Sequence, residues 1–178
     1  MSTRIMLAAA AFALSFPLFA VPALSAGSGG GTETTQKCKE GEVWSQTENK
    51  CVPAKQGAVD DDSLYAGGRA LALAGRYGEA INVLSLAANK NDPRILNYLG
   101  YAHRKAGRVE VGLGYYEEAL RADPDYTLAR EYMGEAYLSI GDIAAARGQL
   151  DEIEKRCGKG CAEFAELEKQ IASFVKGG

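Results

Sequence analysis

Apolar and small residues recur along most of this chain at three- and four-residue intervals. In the stretch that opens at Pro93, Leu96, Leu99, Gly100 and His103 share one helical face. In the stretch that closes at Pro124, the face carries Gly112, Tyr116, Ala119 and Leu120. Ala106-Gly107-Arg108 interrupts the pattern between them, which predicts two amphipathic helices joined by a tight turn. Each helix has a face to bury, and a lone hairpin of helices cannot bury both.

The chain supplies neighbours for those faces. Slid by about 34 residues, Leu99-Gly100 falls on Met133-Gly134, Gly107 on Gly141, Gly112 on Ala146 and Tyr116 on Leu150. Upstream, Ala74-Gly75-Arg76 aligns with Ala106-Gly107-Arg108, and Ala80, Leu84 and Ala87 align with Gly112, Tyr116 and Ala119. Three copies in register are the signature of a stacked array. Glycine inside a helix is unfavourable by about 1 kcal/mol relative to alanine. Its return at Gly100 and Gly134, facing small Gly112 and Ala146, therefore predicts close approach of paired helices.

The central copy resembles the tetratricopeptide repeat family, through Leu99-Gly100, the turn at Gly107, the aromatic Tyr116, Ala119 and the closing Pro124. The resemblance spans residues 61–154. It departs from the family's pattern at Gly67-Gly68, where a large-small pair is usual, and at Arg130, which replaces a large apolar residue. What it implies is an all-α fold, a helix–turn–helix solenoid of three repeats at 63–91, 93–124 and 127–156. Continuing the period, Phe164, Leu167 and Ile171 fall on Leu96, Leu99 and His103, so residues 161–175 are expected to form a capping helix over the last repeat.

In this family the first helix of each pair lines a concave groove that holds a peptide or a partner's helix. Projected onto this chain, the groove residues are Tyr65, Arg69, Asn97, Tyr101, Arg104, Lys105, Glu131 and Glu135. Its middle is then basic and aromatic and its far end acidic, with Asn97 expected to bond a partner's backbone. Such a groove suits an extended, polar and aromatic segment with an acidic centre. The family's carboxylate-clamp residues are not matched, since Tyr65, Arg69 and Tyr132 stand at the comparable places.

The start of the chain adds a compartment. A basic head, Met1-Ser2-Thr3-Arg4, precedes a nearly wholly apolar run over 5–24 and small residues Ala23, Ser25 and Ala26, which reads as a signal peptide over 1–26. An uncleaved anchor is the rival reading. Cleavage places the protein in the periplasm or outside the cell, leaves 19 basic residues against 23 acidic, and argues against nucleic acid as partner. The glycine-rich residues 27–37 are expected to form a flexible linker, and 53–62 a second linker.

Four cysteines fall in two close pairs, and export makes disulfides the default. Cys38 is paired with Cys51, stapling a short hairpin over 38–52, and Cys157 with Cys161, fixing the cap's entry; crossed pairing stays open. Trp44, the single Trp, either touches a ligand or covers the nearby bridge or the first helix. No metal site and no cofactor is read. The single histidine, His103, is expected to be core-packed, and no nucleophile, phosphate-loop or zinc motif occurs. The expected function is a non-enzymatic protein-binding module whose partner the sequence does not identify. The alternatives are an envelope- or carbohydrate-binding protein acting through Trp44, and a thiol–disulfide redox protein using Cys157 and Cys161.

Overall fold

The computed structural model describes residues 38–177, so the leader expected at 1–26 and the linker at 27–37 lie outside the described residues. Strands β1 (Glu42–Ser45) and β2 (Lys50–Pro53) come first. Seven helices follow: α1 (Asp61–Leu73), α2 (Tyr77–Leu84), α3 (Pro93–Lys105), α4 (Val109–Ala122), α5 (Thr127–Ser139), α6 (Ile143–Cys157) and α7 (Ala162–Gly177). Among the described residues no helix is long and apolar enough to cross a membrane.

Local chemistry sets the helix ends. The Asp60 carboxylate accepts from the Ser63 N–H at 2.9 Å and starts α1. Asp92 does the same for Arg94 ahead of α3, where Pro93 occupies the first turn and needs no donor. Each pair turns on a glycine with positive φ: Gly75, Gly107 and Gly141, at +78°, +83° and +81°. The next N–H then reaches back over the turn, Arg76 to Leu71, Arg108 to His103 and Asp142 to Tyr137, at 2.9 to 3.0 Å. This closure satisfies the carbonyls left open at a helix end, and a side chain at the glycine would strain it.

The helices stand in a row. α1 touches α3, α3 touches α5 and α5 touches α7, while no comparable contact joins α2 to α4 or α4 to α6. The first helices of the pairs are therefore the closely spaced side, and the row curves with them inside. The core is serial as well. One apolar cluster runs from the hairpin through α3, smaller ones bridge α3, α4 and α5, and a last one joins α5, α6 and α7 through Leu138, Ala146, Ile153, Phe164, Leu167 and Ile171. This is the all-α solenoid with its capping helix: α7 closes the apolar end of the third pair.

Several packing details differ from the sequence expectation. The small residues do not simply oppose one another. A Cβ at Gly112 would lie 2.8 Å from the Gly100 carbonyl oxygen, so the α3 and α4 backbones do approach closely. The space over Gly100, however, is filled by the Tyr116 ring, that over Gly68 by Leu84, and that over Gly134 by Leu167 of α7. His103 is half-exposed rather than core-packed, because the buried stripe of α3 passes through Tyr98, Leu99 and Ala102. Its ring stacks on Tyr115 at 5.3 Å, and its Nδ1 accepts from Arg108 at 2.9 Å. Helix α2 stops early at Leu84, and the Asp61 carboxylate reaches across to take the N–H groups of Ala88 and Asn89, both at 2.8 Å.

The hairpin is docked on the first repeat. Val43 and Ser45, each 2% exposed, point toward α1, and the Gln46 N–H donates to the Ser63 hydroxyl at 2.8 Å. Val43 lies against Gly67, where a Cβ would sit 3.1 Å from its Cγ1. The glycine that departs from the family's large residue is thus where the hairpin fills in. Trp44 pairs with Cys51 across the strands, on the face away from α1, and is half-buried. Its cross-strand neighbour Cys51 is bonded to Cys38, with Cα atoms 5.6 Å apart. Cys157 and Cys161 are bonded to each other across the turn from α6 to α7.

Candidate partner-binding groove

The inner face of the row is built from α1, α3, α5 and α7, and its floor is tyrosine and arginine. Tyr98 is the hub. Its ring centroid lies 5.8 Å from Tyr65 on α1, 6.1 Å from Tyr101 and 6.4 Å from Tyr132 on α5; Tyr101 and Tyr132 are 5.1 Å apart. Cations lie over these rings. Arg94 sits 4.9 Å from the Tyr65 centroid, and Arg69 sits 5.8 Å from that of Tyr98 and donates through Nε to its hydroxyl at 2.9 Å. Lys105 lies 5.6 Å from the Tyr101 centroid. Tilted ring pairs with cations over their faces are mutually attractive, and Tyr98, 2% exposed, anchors them in the apolar cluster beneath, so the floor is held rigid. Burial pushes the Tyr101 and Tyr132 hydroxyls above the usual phenol range, which keeps them neutral donors.

The structure brings Tyr65, Arg69, Tyr101 and Lys105 onto this face and corrects three other expectations. Asn97 is fully buried beside Tyr126 and presents nothing to a partner, because α5 begins directly over it. Arg104 is a strut under the floor, 8% exposed. It pairs with Glu135 at 2.7 Å, and its Nε donates to the Tyr116 hydroxyl at 3.3 Å. Burial alone would lower its pKa, but Tyr116 and Glu135 hold it above the ordinary value. Glu131 is also 8% exposed, because α7 stacks on that side of α5. Glu135 keeps an 18% exposed side chain, but its charge is taken by Arg104. The sequence reading did not place Tyr98 on the floor and took Tyr132 only as a mismatch to the carboxylate clamp, although the two stand one 34-residue period apart.

Glu131 makes a pH prediction. Burial, then Glu135, Glu163 and Glu166, push its carboxyl up to about 8, with Arg104 opposing. An ordinary glutamate titrates near 4.3. Below that pH both folded and unfolded chains hold the proton. Between there and about pH 8 only the folded chain does, so stability falls as pH rises through that window. Glu131→Gln removes the effect. Urea denaturation of the variant should show a gain over the wild type on the order of 2 kcal/mol at pH 7.5, and little difference at pH 4. An equal difference at both pH values would contradict this.

Among the described residues the ligating side chains that come close together are Cys157, Cys161 and Glu163. The two cysteines are joined as a disulfide, which leaves no thiolate to ligate a metal.

The photosystem I assembly protein Ycf3 of Rippkaea orientalis is 28% identical over 110 residues, which is 59% of this chain and 64% of that protein. The chain spans under two thirds of the length of each curated relative considered. The first tetratricopeptide domain of human RPAP3 superposes with a TM-score of 0.57 at 17% identity, covering 64% of this chain and 91% of that one. The Yersinia enterocolitica type III secretion chaperone SycD, solved with a peptide of the translocator YopD, superposes with a TM-score of 0.54 at 21% identity, covering 65% and 89%. These likenesses carry the fold. The tetratricopeptide repeat model matches residues 65–126 and again 98–160, more than half of the sequence, and this chain belongs to the tetratricopeptide repeat family.

Proposed function

We propose that this chain is a non-enzymatic protein-interaction module that holds a peptide or a partner's helix along its inner face, as an adaptor or assembly factor on the exported side of a membrane. The observation that carries the reading is the tyrosine–arginine floor spanning α1, α3 and α5. Tyrosine and arginine are the residues that most often anchor interfaces, because they offer large contact area with a polar end. A rigid floor also spares the partner the entropy of ordering it. The likeness in fold to SycD, solved in complex with a YopD peptide, supports a peptide as the kind of partner. Export rests on the leader over 1–26 and on two bonded cysteine pairs, which suit an oxidising compartment.

A photo-crosslinking amino acid at Ser139 on α5 tests the reading against one at exposed Glu117 on α4. In an envelope extract Ser139 should give a discrete crosslinked protein and Glu117 none. Equal labelling from both positions, or labelling from Glu117 alone, would move the interface to the outer face.

A further inference from the structure

At one end of the inner face the floor opens into a depression. Lys105, Ser139 and Ser173 occupy equivalent positions of successive first helices, one period apart. Two serines at that position leave room that a larger side chain would fill. The result is an open hollow of about 370 Å³ between the C-terminal ends of α3, α5 and α7. Leu138 and Phe174 supply its apolar surface; Leu138 is 6% exposed, whereas Phe174, in the last turn of α7, is 40% exposed.

The charges around the hollow are unequal. Arg104 and Glu135 form part of its wall but neutralise each other at 2.7 Å. Lys105 is exposed and, among the described residues, its recorded partner is the Tyr101 ring at 5.6 Å. An exposed aromatic on an otherwise soluble helix beside an ammonium with no carboxylate partner asks for a complement that is apolar and acidic together.

We infer that this hollow selects the partner: it takes one apolar side chain of leucine or aromatic size onto Phe174 and Leu138, while an adjacent Asp or Glu of the same segment pairs with Lys105. The inference rests on the inner face being the partner surface and adds the chemistry the partner must carry. The rest of the floor is broad and tolerant, because tyrosine rings accept many side chains. Size and charge are read together at this hollow, so it sets register as well as preference.

Selection of a random peptide library displayed on phage against the purified full chain tests it. Wild-type protein should enrich peptides with Leu, Phe, Tyr or Trp next to Asp or Glu. Lys105→Glu should reverse the preference at the neighbouring position toward Lys or Arg, shifting it roughly fivefold, the scale of an exposed ion pair. Phe174→Ser, on an exposed residue that leaves the core intact, should weaken binding of a selected wild-type peptide by about tenfold, the loss expected for one buried apolar side chain. Peptides that compete for the inner face but lack the apolar–acidic pair would overturn the inference while leaving the groove reading in place. No enrichment of any peptide would overturn both. Unchanged selection by Lys105→Glu and Phe174→Ser would place the recognition elsewhere on the floor.

Discussion

Replacing Gly100 with alanine should lower stability by about 3 kcal/mol, a fall of roughly 10 °C in Tm for an array of this size. A Cβ at that position would lie 2.6 Å from Cε1 and 2.8 Å from Cδ1 of Tyr116. The ring has nowhere to go. It is wholly buried, and its hydroxyl accepts from Arg104. Nor is there slack between the helices, since one turn earlier on the same face Gly112 already brings the α4 backbone against the Gly100 carbonyl. Alanine's better helix propensity returns at most about 1 kcal/mol and does not offset the clash. Gly114 is the control. It sits inside α4 with nothing within 4 Å of an added Cβ, so Gly114→Ala should stabilise by up to about 1 kcal/mol. Gly134→Ala should fall between the two, because the atoms it meets belong to the Leu167 side chain, which is also wholly buried but smaller than a tyrosine ring. Thermal and urea denaturation of the three variants check the order. A neutral Gly100→Ala would mean that Tyr116 is not the wedge between α3 and α4.

What was legible in the sequence follows from what repeats. The turn glycines and the large-small alternation recur near the same period because each repeat solves the same packing problem. Features that occur once were not legible. Gly67 broke the repeat pattern, and its explanation, Val43 of the hairpin, lies outside any repeat. The hairpin was expected as a stapled segment on linkers; nothing periodic indicates that Gln46 bonds Ser63 and ties it to α1. The early end of α2 depends on the Asp61 carboxylate, which is far upstream in sequence. His103 was misplaced by one residue of helical phase, with Ala102 taking the buried position.

The groove divides in a similar way. The projection that the family resemblance implies identified the side of each helix facing inward, and Tyr65, Arg69, Tyr101 and Lys105 lie there. Phase does not report how closely the next helix packs. Asn97 disappears under the start of α5, and Glu131 disappears under α7. Phe174 falls in the last turn of the cap, beyond the repeats from which the groove was projected, so no projected position pointed to it. Arg104 and Glu135 were each read as a free charge on opposite halves of the groove. In space they are partners, and the basic centre and acidic end largely cancel where they meet.

That pairing carries the second large effect. Arg104→Met should cost about 3 kcal/mol at pH 7, since removing one partner of a buried ion pair strands the other. The Arg104 side chain is 7% exposed and spans from α3 to α5, and its guanidinium lies 5.6 Å and 5.9 Å from the Tyr101 and Tyr132 centroids. Its loss removes the Tyr116 bond and the cation between two floor rings. It also leaves Glu135 without its arginine, beside the buried carboxyl of Glu131. The pair itself need not be favourable on balance, because burying both charges is expensive. The double variant Arg104→Met with Glu135→Leu should therefore recover more than half of the loss. A coupling near zero in the double-mutant cycle, measured by urea denaturation, would mean that Arg104 holds the floor through Tyr116 and the rings rather than through Glu135.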